Sequence, residues 1–143
     1  TGQGIYVHQN GDMYVGEFKN GEQDGKGTFT WSNGSVYTGD WINSQRSGKG
    51  KYVWSNGDVY EGSWKEDLPE GEGTLTLADG TRYKGSFVKG KKEGKGVLEE
   101  KDGTRYEGFF KQDMKHGPFV EISNNGQTIR KGTYKFGKLE SSK

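Results

Sequence analysis

Gly57-Asp-Val-Tyr-Glu-Gly-Ser-Trp-Lys65, then Glu66-Asp-Leu-Pro-Glu70, then Gly71-Glu-Gly-Thr-Leu-Thr-Leu-Ala-Asp79 is one pass of a pattern that fills the chain. Its two outer runs alternate apolar or aromatic residues with polar ones, the period of a strand whose successive side chains point to opposite sides. Turn-forming residues separate the runs, and Asp79-Gly80 closes the unit. One unit is therefore a β-hairpin. Working outward, Gly2, Gly25, Gly48, Gly71, Gly94 and Gly117 stand 23 residues apart, and Tyr14, Tyr37, Tyr60, Tyr83 and Tyr106 keep the same step. A fixed period of this size marks a tandem array in which one supersecondary unit is copied and stacked.

Asn-Gly or Asp-Gly recurs at 10–11, 33–34, 56–57, 79–80 and 102–103, the strongest short-range hairpin signal. The whole chain, 1–143, reads as a single all-β array: a partial repeat at 1–11, full repeats at about 12–34, 35–57, 58–80, 81–103 and 104–126, and a divergent cap at 127–143. About twelve strands, from Gln3 to about Phe136, form an elongated single-layer antiparallel meander. Alternation puts Tyr14, Gly16 and Phe18 on one face with Gly27, Phe29 and Trp31. Glu17, Lys19, Lys26, Thr28 and Thr30 fall on the other, which reads as solvent. Glycine weakens a strand unless a neighbouring group needs the space, so each recurrent glycine predicts an aromatic ring packed over it. A one-layer sheet with one apolar face curves or twists around that face, which predicts an aromatic trough.

The composition agrees with a thin, wet structure. Only 27% of the residues are hydrophobic, yet 19 are aromatic and the net charge is +1, so the regular rings separate the chain from disordered polar sequences. There is no cysteine, which excludes disulfide staples and thiolate chemistry. The chain opens at Thr1 in mid-repeat and reads as part of a longer protein, and no apolar run is long enough for a membrane-spanning helix. Residues 1–72 hold 6 Lys+Arg and 11 Asp+Glu, whereas residues 73–143 hold 15 and 9. This asymmetry suits steering of an anionic partner or membrane to one end, or head-to-tail association of copies through the array ends.

Tyr60-Glu-Gly-Ser-Trp64 with Gly71-Glu-Gly73, repeated from residue 2 to about 137 as Tyr-x-Gly-x-Trp/Phe followed by Gly-x-Gly, resembles the MORN repeat. Ser44-Gln-Arg-Ser-Gly-Lys-Gly50 through Glu61-Gly62 further resembles MORN proteins of axonemes and sperm. The resemblance implies a non-catalytic interaction scaffold in the cytoplasm, at cytoskeletal or membrane-associated structures. It also implies a partner helix or peptide along the groove, with end-to-end self-association and phosphoinositide binding as further family properties. The last unit departs from the pattern. Pro118-Phe119 stands where glycine is expected, and one residue is inserted after Gly126. Because proline cannot donate to a ladder, this unit reads as a cap at an edge.

Little here resembles catalytic chemistry. His8 and His116 are the only histidines; His8 takes the repeat position of Trp31 and Trp54, and His116 is expected in a turn. No metal, cofactor or nucleic-acid motif is present. Gly21–Gly27 and Gly90–Gly96 lack the spacing and the Ser/Thr of a phosphate loop and read as hairpin turns. Asn33-Gly-Ser35 reads as a turn although it matches a glycosylation sequon. The candidate site is the apolar face. One column runs Tyr6, Phe29, Tyr52, Leu75, Leu98, and beside it runs His8, Trp31, Trp54, Leu77, Glu100. Phe29, Trp31, Tyr52, Trp54, Leu75 and Leu77 are the expected partner-binding residues, since large rings bury area with few rotatable bonds. Trp41 and Trp64, opposite glycines, are expected to hold the sheet. The acidic N-terminal half favours a basic partner segment. As an alternative, Lys84, Lys89, Lys91, Lys92 and Lys95 form a candidate patch for anionic phospholipid.

Overall fold

A computed structural model describes residues 2–142 as one antiparallel sheet of thirteen strands, each paired only with its neighbours in sequence. The strands are β1 (Gly2–Val7), β2 (Met13–Lys19), β3 (Glu22–Thr30), β4 (Val36–Ile42), β5 (Gln45–Val53), β6 (Val59–Lys65), β7 (Leu68–Thr76), β8 (Arg82–Val88), β9 (Lys91–Glu99), β10 (Arg105–Lys111), β11 (Met114–Ile122), β12 (Thr128–Lys135) and β13 (Lys138–Ser142). The meander is as the alternation predicts, with one strand more than the expected twelve, because Phe136 and Gly137 make a further turn. Gly21–Gly27 and Gly90–Gly96 lie mostly in strands β3 and β9, not in turns, and His116 lies within β11. β11 sits between β10 and β12, so Pro118 is inside the sheet and not at an edge. The inserted residue is absorbed as a bulge. Glu121 pairs with Arg130 and Ile122 with Thr128, which leaves Ile129 over.

Two kinds of turn alternate. The connection β2–β3 and its equivalents are two-residue turns with both residues at positive φ, as at Asn20 (52°) and Gly21 (80°) or Glu66 (50°) and Asp67 (71°). That type I′ geometry matches the right-handed twist of the flanking strands. The Asn-Gly connections are wider. At β3–β4 the Gly34 N–H donates to Trp31 O (3.0 Å) and the Trp31 N–H to Ser35 O (2.9 Å), with only the glycine at positive φ (97°).

Both margins of the ribbon are stitched from repeat to repeat. At the I′ turns, Asn43, Glu66, Lys89, Gln112 and Phe136 each donate their backbone N–H to a side chain of the preceding repeat: Asp24, Ser47, Glu70, Glu93 and His116. His116 thus accepts through Nδ1 where Asp24, Ser47, Glu70 and Glu93 accept through a side-chain oxygen. At the wide turns, Ser32, Ser55 and Ala78 donate to Asp12, Ser35 and Asp58. These bonds give the turn N–H groups partners that the sheet ladder cannot supply.

The core is a single layer of rings. Tyr14, Tyr37, Tyr60, Tyr83 and Tyr106 are buried, with Trp41, Trp64, Phe87 and Phe110 beside them. Each tyrosine meets the ring four residues on edge-to-face, as Tyr37 meets Trp41 (5.1 Å, 86°) and Tyr60 meets Trp64 (5.2 Å, 90°), the arrangement that ring quadrupoles favour. The predicted ring lies over Gly27, Gly50, Gly73 and Gly96, and a Cβ on Gly50 would lie 2.1 Å from Tyr37 Oη; Gly25, Gly48, Gly71 and Gly94 instead meet the side chains of the bulge residues Glu17, Asp40, Ser63 and Ser86. Trp41 and Trp64 also donate Nε1–H to the carbonyls of Gly27 (3.2 Å) and Gly50 (3.0 Å). In the last unit Phe119 takes the glycine's place, and Tyr106 stacks on it instead (5.3 Å, 20°).

Inside each of these hairpins is a bulge. Gly39 pairs with Gly50, but the next pair is Trp41 with Arg46, so Asp40 alone faces three residues. Such a step breaks the ladder and strands a carbonyl. The tyrosine hydroxyl donates to that carbonyl: Tyr14 to Glu17, Tyr37 to Asp40, Tyr60 to Ser63, Tyr83 to Ser86 and Tyr106 to Phe109, at 2.8–3.0 Å.

The opposite face is less uniformly polar than expected. Val7, Met13, Thr30, Val36, Val53, Val59 and Thr76 pair in succession across seven strands. Beyond them the same row becomes charged, with Arg82 and Glu99 ion-paired at 2.9 Å. β-Branched cross-strand pairs stabilise a sheet even on a wet face.

Candidate functional site: the aromatic face

Repetition sets the site. Residues 23 apart fall at equivalent points of successive hairpins, so an apolar column becomes a row running across the strands. Phe29 pairs in register with Tyr14 and Tyr37, Tyr52 with Tyr37 and Tyr60, and Leu75 with Tyr60 and Tyr83. Trp31 and Trp54 close the wide turns beside them. Their rings form one chain of contacts: Phe29 to Trp31 at 4.5 Å, Trp31 to Tyr52 at 5.1 Å and Tyr52 to Trp54 at 4.6 Å. Phe29, Trp31, Tyr52, Trp54 and Leu75 are half-buried and packed on the core. Leu77 lies at the next wide turn, where its N–H meets Thr81 O at 2.8 Å. The structure thus brings the six expected partner-binding residues onto one side of the sheet, and no second layer of the described residues covers them.

The tyrosines beneath stay protonated. Burial pushes Tyr60, Tyr83 and Tyr106 up to about 12, and Tyr37 further in the same direction. The charge on this face comes from a column that sequence reasoning missed. Gln23, Arg46, Pro69, Lys92 and Lys115 hold one repeat position and pair with Phe18, Trp41, Trp64, Phe87 and Phe110. The Arg46 guanidinium sits over four rings: Trp64 (4.9 Å), Tyr52 (5.3 Å), Trp31 (5.7 Å) and Tyr37 (5.9 Å). Lys92 lies over Tyr83 (5.4 Å), and Lys115 over Tyr106 (4.7 Å) and Tyr134 (5.3 Å). Cations over ring faces are favourable, more so where water is partly excluded. This repeat position holds three cations, Arg46 in the acidic half and Lys92 and Lys115 in the basic half, and Arg46 is ion-paired with Asp67 at 3.1 Å. The signal available was the 23-residue recurrence of basic residues at 46, 92 and 115, which needed the bulged register before it could be placed over the rings.

The five lysines of the alternative lipid patch do not share a surface. Lys92 lies on the aromatic face. Lys84 pairs with Thr74 and Val97 on the other face, and Lys95 pairs with the bulge residue Phe109. Lys89 occupies a turn, its N–H bound to Glu70, and Lys91 opens β9. Among the described residues no group of three or more His, Cys, Asp or Glu is placed to hold a metal ion, and no helix is long and apolar enough to cross a membrane.

Known proteins with this architecture include the TCP domain of Drosophila melanogaster SAS-4 (dCPAP), solved in complex with a proline-rich motif of Ana2 (dSTIL). It is similar over 91% of this chain and 76% of its own, with 14% identity and a TM-score of 0.52. The TCP10 domain of Danio rerio CPAP is similar over 93% of this chain and 68% of its own, with 16% identity and a TM-score of 0.49. No curated protein matches the chain by sequence alone. The MORN repeat pattern matches five times in tandem, at 14–36, 37–59, 60–82, 83–105 and 106–128, so the chain belongs to the MORN repeat family.

Proposed function

We propose that the chain is a non-catalytic interaction scaffold whose aromatic face binds an extended, proline-containing segment of a partner protein, laid across the strands over Phe29, Trp31, Tyr52, Trp54, Leu75 and Leu77. The observation that carries this reading is the continuous half-buried row of rings on a one-layer sheet. Successive repeats are two strands apart, about 9.6 Å from strand spacing. A polyproline II helix advances about 9.3 Å per turn of three residues, so it presents an equivalent side chain to each repeat. An α-helix, with a turn of about 5.4 Å, falls out of step. The proline-rich partner of the SAS-4 domain belongs to the same ligand class. Aromatic grooves suit such ligands because the polyproline II form loses little entropy on binding.

Titration with a proline-rich peptide, followed by tryptophan fluorescence, tests the reading. Saturable quenching that is lost when Trp31 and Trp54 are both replaced by Gln in a folded variant is expected. Unchanged binding by that variant contradicts it. The family setting adds an expected location, a cytoskeletal or membrane-associated structure, which imaging of the tagged protein tests.

A further inference from the structure

We infer that Arg46, Lys92 and Lys115 form a cationic register along the aromatic face and select partner segments that carry carboxylates at matching intervals. The inference rests on the peptide-binding reading and specifies its ligand as an acidic, proline-rich segment.

Arg46 is held ready for such a contact. Its Nε–H donates to Asp67 Oδ1 (3.1 Å) and its Nη2 to the Asp67 carbonyl (3.0 Å). Nη1 has no hydrogen bond among the described residues. The side chain is only 19% exposed and is flanked by the four rings already named. A guanidinium fixed in a partly dry site loses little freedom when it meets a carboxylate, and its Nη1 edge is the side left to donate. Lys92 and Lys115 have no ion-pair partner among the described residues, and their backbones are tied to the next turn by Asp113 N–H to Lys92 O (3.0 Å) and Gly137 N–H to Lys115 O (2.8 Å). The position between Arg46 and Lys92 is Pro69, and the one before Arg46 is Gln23. The register is thus cationic, neutral, cationic, cationic.

The spacing follows from the sheet. Arg46 and Lys92 are two repeats apart, about 19 Å, and Lys92 and Lys115 one repeat, about 10 Å, at the strand spacing of a β-sheet. At about 3.1 Å per residue, those intervals correspond to about six and three residues of a polyproline II segment. Both are whole numbers of its three-residue turns, so three acids so placed project from one side.

The test uses labelled proline-rich peptides of about 16 residues, which span the register at about 3.1 Å per residue, with fluorescence anisotropy against the folded chain. One peptide carries Glu six and then three residues apart, a second Gln at those positions, and a third Lys. The Glu peptide is expected to bind about tenfold tighter than the Gln peptide, with the Lys peptide weakest. Arg46→Gln should remove much of that preference, read as the ratio of the variant's affinities for the Glu and the Gln peptide. If that variant does not fold, Lys92→Gln with Lys115→Gln serves in its place. Equal binding of the Glu and Gln peptides, dependent on Trp31 and Trp54, overturns the charge register and leaves the peptide-binding reading standing. Failure of all three peptides to bind overturns both.

Discussion

The hydroxyl of Tyr37 donates a 2.8 Å hydrogen bond to the carbonyl of Asp40, the residue at which its strand loses register with the next. The same pair recurs in every hairpin from Tyr14 to Tyr106, so the tyrosine both fills the space over the glycines and satisfies the bulge.

Tyr37→Phe keeps the ring and removes only the hydroxyl. The Asp40 carbonyl then loses its partner beside a fully buried side chain, which costs about 1–3 kcal/mol. Urea unfolding should show that loss. Tyr6→Phe, at an exposed ring, should change stability by less than about 0.5 kcal/mol.

Gly50→Ala sets a methyl group 2.1 Å from Tyr37 Oη and 2.3 Å from Cζ, against a ring that is fixed on its other sides. We expect a loss of about 1–3 kcal/mol or more from overpacking. Phe119 shows why the penalty is not universal: there Tyr106 has moved into a stack with the larger residue, and Tyr134 closes on it at 4.7 Å. Thermal unfolding of Gly50→Ala against the unaltered chain checks the expectation.

Alkaline pH should unfold the array. Tyr60, Tyr83 and Tyr106 ionise in the fold near 12, against an ordinary value of 10.0. Between those values the unfolded chain binds fewer protons than the folded one, so stability falls as pH rises, and below pH 10 the contribution is fully present. Absorbance of tyrosinate from the buried rings should therefore rise late, coincident with loss of the sheet signal in circular dichroism.

The hairpin array and its two faces were legible because period two and period 23 are both written in the residues. The bulge was not, because Tyr37-Thr-Gly-Asp-Trp41 alternates without interruption while the extra residues lie on the partner strand, between Arg46 and Gly50. Turns such as Glu66-Asp67 and Gln112-Asp113 carry no glycine, so their left-handed geometry is imposed by the strands they join. Of the site, the row from Phe29 to Leu77 could be read from the repeat alone. Arg46 could not, since its place over Trp64 depends on the shifted register. His116 looked like a turn residue beside Gly117, whereas it lies in β11 as the acceptor of the following turn.

The most direct test of the central claim is a quantitative comparison of proteins captured by the unaltered chain, by Trp31→Gln/Trp54→Gln and by a variant of the opposite face, Val36→Lys/Val53→Lys, after each is shown to be folded. We predict partners that are kept by the opposite-face variant and lost by the tryptophan variant. Partners kept by the tryptophan variant and lost by Val36→Lys/Val53→Lys would place the binding surface on the other side of the sheet and contradict the account.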